Sequence, residues 1–121
     1  MLLDSGVCTI YELLEGGASG VNQAYQLREK SRHCFKELTV GYGRHYEARR
    51  SNESVDKSLR VWRDDAITAI DICEVGGKRY RIRQIQPRED EDGLLVTDLA
   101  LELAAGWEIT EAEVVKDEHQ G

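Results

Sequence analysis

The sequence predicts a mainly β fold, a small antiparallel β-barrel or sandwich of about six strands with one short helix. Three observations carry this expectation. Apolar residues recur with period two in most segments, turn signals separate those segments at short intervals, and a Gly-Gly pair splits two β-prone runs in the manner of a hairpin. The 121 residues, 40% hydrophobic and 32% charged, fit one domain with a modest core. That domain is expected over residues 1–110, followed by an acidic, disordered tail over 111–121.

The elements follow in order. Residues 7–14 put Val7, Thr9, Tyr11 and Leu13 on one face of a strand that ends at a flexible loop near 16–23, where Gly16, Gly17 and Gly20 gather. Residues 31–40 read as a second strand with Cys34 and Phe35 near its middle. Gly41 and Gly43 break it, and RHYEARR at 44–50 offers a short helix near 43–52, too short to stand without packing. Residues 55–63 alternate again, with Val55, Leu59 and Val61 opposite Asp56, Ser58 and Arg60.

Ile67, Ile70 and Ile72 then lead through Cys73 and Val75 into Gly76-Gly77, after which RYRIRQIQ runs over 79–86. A two-residue type I′ turn needs positive φ at both central positions, which glycine alone adopts freely, so this pair marks a hairpin. The acidic run Glu89-Asp90-Glu91-Asp92-Gly93 is read as an exposed turn. Beyond it, Leu95, Thr97, Leu99, Leu101 and Leu103 line one face of a strand, opposite Val96, Asp98, Ala100 and Glu102.

Charge narrows the function classes. The net charge of −7 repels nucleic acid and anionic lipid overall, so any DNA contact must be local. No run approaches the 18 apolar residues of a membrane span, and Asp4 interrupts the apolar start before a signal-peptide core can form. Residues 1–63 carry 10 basic and 8 acidic side chains, whereas 64–121 carry 6 and 15. Within that second half, Lys78, Arg79, Arg81, Arg83 and Arg88 crowd together ahead of the carboxylates.

Few residues invite chemistry. Cys8, Cys34 and Cys73 are widely spaced, without the C-x-x-C pairs of a zinc ribbon or the even count of a disulfide framework, and read as reduced, buried thiols. Cys34 has only His33 beside it, which on a strand points to the opposite face, so a nucleophile-base pair is not expected there. Setting Gly93 at the sixth position of an EF-hand loop would put Arg88 and Leu99 at its first and last ligands, which excludes that motif. P-loop, dinucleotide, H-E-x-x-H and G-x-S-x-G strings are absent. No enzyme, cofactor or metal is expected.

The segment KRYRIR is the most distinctive. Arg79, Arg81 and Arg83 are expected on one strand face about 7 Å apart, with Tyr80 and Ile82 turned to the core. Such a row can track phosphate, but in a chain this acidic it reads more readily as a surface that pairs with carboxylates of a protein.

The ordered string Thr39-Val40-Gly41, Arg44-His45-Tyr46 with Ala48, Val55-Asp56, Leu59-Arg60-Val61, Gly77 with Tyr80-Arg81-Ile82, Gln84-Ile85-Gln86, then Asp90-Glu91-Asp92-Gly93-Leu94 through Thr97-Asp98-Leu99 resembles the small head-tail joining, or head-closure, proteins of tailed phages and prophages. The resemblance covers about residues 7–104 and departs at Arg63-Asp64-Asp65 and in the acidic end. It implies a β-barrel protomer without catalytic activity that adds as a ring beneath the portal and adaptor of a filled capsid and presents a surface to the tail proteins. Phage DNA would pass through that ring without sequence-specific binding. The location implied is the host cytoplasm during assembly and the head-tail interface of the virion afterwards.

The residues expected at the interface are Tyr46, Arg49 and Arg50, the row Arg79, Arg81 and Arg83, and the acidic group Glu89, Asp90, Glu91 and Asp92. A tail-completion or tail-terminator protein shares this kind of small β fold. A barrel of the oligonucleotide-binding type, using the same arginines with Trp62, is the alternative outside phage assembly.

Overall fold

The computed structural model describes residues 3–14, 25–38 and 55–115. These form seven strands and one short helix: β1 (Gly6–Leu14), β2 (Gln26–Leu38), β3 (Lys57–Trp62), β4 (Ile72–Val75), β5 (Lys78–Glu89), β6 (Leu95–Leu103), α1 (Trp107–Thr110) and β7 (Glu113–Val115). The sheet runs β1-β4-β5-β6-β3-β2, and β2 pairs back onto β1, so six antiparallel strands close on themselves. A single closed sheet, rather than two stacked ones, is therefore the form the period-two pattern takes. Closure matters because it pairs strand edges that otherwise recruit other chains.

Each of the six strands sends side chains inward: Cys8 and Ile10, Phe35, Leu59 and Val61, Cys73 and Val75, Tyr80 and Ile82, Leu99 and Leu101. Ile67, from the segment between β3 and β4, joins this core. That segment is held over β2 by the buried Asp71 carboxylate, which accepts from Lys30 Nζ at 2.7 Å and from the Thr68 N–H at 2.8 Å. Lys30 is the extra residue of a bulge, since Ile10 faces Ser31 while Tyr11 faces Glu29.

A second, smaller cluster lies on the outer side of the sheet. Tyr11, Leu27 and Ile72 pack there with Ala104, Ile109 and Ala112, so α1 and its flanks cover the outer face of β1, β2 and β4. The face that the alternation grouped, with Tyr11 and Leu13, is thus turned away from the main core, which Cys8 and Ile10 enter instead. Tyr11 and Leu13 belong to this second cluster, and Val7, beyond its reach, is 58% exposed.

Several sequence expectations need correction. The described helix is α1, after β6. The one expected near 43–52 and the loop near 16–23 lie outside the described residues. The acidic tail was expected from Glu111, but Ala112 is buried and Glu113–Val115 pairs in parallel with Gln26, Leu27 and Arg28 of β2. Residues 116–121 lie outside the described ones. Cys8 and Cys73 are buried as expected, whereas Cys34 is exposed, because the core-facing neighbour on β2 is Phe35. Among the described residues no helix is long and apolar enough to cross a membrane.

Candidate functional site

The most distinctive surface is the ribbon made by β5 and β6. It begins at the Gly76-Gly77 turn, where φ values of 60° and 78° and the Val75–Lys78 pairing give the two-residue geometry the sequence called for. Tyr80 and Ile82 face the core, also as expected. The alternation then slips. Ile82 pairs with Leu101 but Gln84 with Ala100, so Arg83 is an extra, bulged residue, and Ile85 returns to the inner side three positions after Ile82. The spacing of those two isoleucines was the sequence signal for the bulge. Pro87, which has no N–H to donate, lies beyond Arg81, where the pairing of β5 with β4 ends.

The three arginines are consequently not an even row. Arg79 is turned inward to the chain itself: its guanidinium donates to the Ala112 carbonyl at 2.7 Å, the Ile109 carbonyl at 2.9 Å and the Thr110 carbonyl at 3.3 Å, and meets Glu74 at 3.3 Å. It caps α1 and clamps the outer cluster to the sheet. Glu74 also accepts from the Tyr11 hydroxyl at 3.4 Å, which ties the clamp to β1. Arg83 pairs with Glu102 at 2.6 Å. Arg81, half-buried, makes no ion pair among the described residues. Tyr46, Arg49 and Arg50 lie outside the described residues.

At the far end of the ribbon the acidic run forms the turn. Asp90 organises it: its N–H donates to the Leu94 carbonyl, its carbonyl accepts from Gly93, and its Oδ1 accepts from the Leu94 and Asp92 N–H groups at 2.8 and 2.9 Å. The Leu94 N–H above all holds the Asp90 carboxyl below its ordinary range. Asp90 is thus a structural turn residue, while Glu89, Glu91 and Asp92 are exposed. A depressed carboxyl stabilises the turn above the ordinary unfolded value of about 4, and that contribution is lost as pH falls through the folded value. Relative to an unstructured peptide at the same pH, acidification below about pH 4 is therefore expected to lower the exchange protection of the Leu94 and Asp92 amides, and Asp90→Ala to lower it already at neutral pH. Amide exchange by nuclear magnetic resonance checks both.

The outer face of the sheet holds one further charged cluster that sequence reasoning missed. Asp98 of β6 accepts from Arg60 of β3 at 2.7 and 2.9 Å, and Arg88 of β5 approaches it at 3.4 Å. The Asp98 and Arg60 side chains are only 11% and 13% exposed. Strand register explains the meeting, since Asp98 lies opposite both Arg60 and Gln86, facts that no local pattern contains.

Cys8 beside it, together with burial, pushes the Cys73 thiol far up, so it stays protonated at neutral pH. Among the described residues no group of three or more His, Cys, Asp or Glu side chains is arranged to hold a metal ion. Fold and surface together define a small closed β protein with a charged two-strand ribbon. In comparisons with known proteins the sequence matches no family model and no curated protein.

Proposed function

We propose that this chain is a structural morphogenesis protein of a tailed phage or prophage, joining the DNA-filled head to the tail and adding as a ring below the portal and adaptor. The observation that carries the reading is the β5–β6 ribbon: the G-x-x-Y-R-I-x-Q-x-Q hairpin and the D-E-D-G-L turn, which carry the resemblance, form one continuous feature of a closed sheet. The acidic net charge favours the same reading, because a conduit that grips phosphate would retard the passing genome.

Tail completion and tail termination are neighbouring roles that the same features support less specifically. Binding of single-stranded nucleic acid is favoured less, because Arg79 is engaged by carbonyls and Glu74 and Arg83 by Glu102. Mass spectrometry of purified particles is the test: the chain is expected in complete virions in several copies per particle, associated with the connector after disruption. Its absence from complete virions, or salt-sensitive DNA binding by the purified protein, would count against the proposal.

A further inference from the structure

The two ends of the β5–β6 ribbon carry opposite charge, and each end also exposes apolar surface. At the hairpin end, Lys78, Thr110, Leu103 and Ala104 are among the residues that line a groove of about 390 Å³. Glu74 in its wall is matched by Arg79, so Lys78 sets the charge of the mouth, with Arg81 on the same strand. Leu103 is half exposed there. At the other end, Glu89 and Glu91 flank Leu94 and Leu95, both about half exposed, and Trp62 of β3 stands beside them through its pairing with Val96. The Asp90 hydrogen bonds fix the shape of this tip.

A strand of 12 residues separates the ends by about 35 Å, several times the Debye length at physiological salt. One copy therefore cannot bring its own tip to its own groove. Two tips, or two grooves, would place like charges together, whereas tip against groove pairs carboxylates with Lys78 and leucines with Leu103 and Ala104. We propose that the acidic, leucine-bearing β5–β6 turn of one copy docks in the Lys78–Leu103 groove of a second copy. The contact is heterologous, the type that closes into a ring or continues as a filament. It stands independently of the head-tail reading.

A zero-length carbodiimide, which joins an amine to a carboxylate only where the two touch, tests the contact on the full-length protein. The expected product is an amide between Lys78 and Glu89 or Glu91, mapped by peptide mass spectrometry and necessarily between copies because of the separation. Raising the salt should abolish it. Lys78→Glu and the double variant Glu89→Lys with Glu91→Lys should each lose the link alone. Mixing the two variants should restore the Lys78 link between unlike copies, from Lys78 of one variant to Glu89 or Glu91 of the other, together with a second crosslink between the positions exchanged in charge. Leu94→Ser with Leu95→Ser should weaken the link with all charges intact, and circular dichroism establishes that each variant is folded. Absence of the Lys78 link from the folded wild type, or failure of the mixture to recover it, would overturn the proposal. Head-tail joining is tested separately in particles, so either idea can fail alone.

Discussion

Asp98→Ala is expected to destabilise the fold by about 3 to 5 kcal/mol, a large share of the roughly 5 to 15 kcal/mol that holds a domain of this kind together. The substitution removes the carboxylate that accepts from Arg60 and lies 3.4 Å from Arg88, and it strips the almost buried Arg60 guanidinium of its hydrogen-bonded counter-charge. The cost is the desolvation of the stranded cation rather than the value of the pair itself. Replacing both partners, Asp98→Leu with Arg60→Met, should therefore cost less than Asp98→Ala alone. Urea denaturation midpoints compare the variants, and a double variant weaker than the single one would show that the pair, not the stranded charge, supplies the stability.

Arg79→Ala is the second large effect, about 2 to 4 kcal/mol, because charge-assisted bonds to three carbonyls and to Glu74 disappear together. The loss should be local first. Hydrogen exchange is expected to rise across 107–115, where α1 and β7 lose their attachment, while β3 and β6 keep their protection. Arg79→Lys should recover little, since one ammonium cannot reach all of these acceptors from one position. Uniform loss of protection over the whole chain would mean that the outer cluster is part of the main cooperative unit.

Both effects arise from residues whose roles local patterns cannot express. Period-two alternation revealed the strands, and Gly76-Gly77 revealed its hairpin, because each is set by neighbours in the chain. The Arg60–Asp98–Arg88 cluster depends on the register of three strands, and the engagement of Arg79 depends on where α1 comes to rest. The row of arginines at 79, 81 and 83 was legible as charge, but its evenness was not real. A bulge at Arg83 and the acceptors around Arg79 leave Lys78 and Arg81 as the cations of that end to consider for partners. The acidic turn was legible as a turn, while Asp90's part in building it required the Leu94 and Asp92 amides to be placed.

The role proposed for this protein is to complete a DNA-filled head so that a tail can attach. Its most direct test is deletion of the coding sequence from the phage or prophage, followed by electron microscopy of the lysate and addition of the purified protein. The expected result is an accumulation of separate heads and complete free tails, with infectious tailed particles appearing when the protein is added. Normal tailed particles in the deletion lysate, or separate heads and tails that the added protein leaves unjoined, would contradict it.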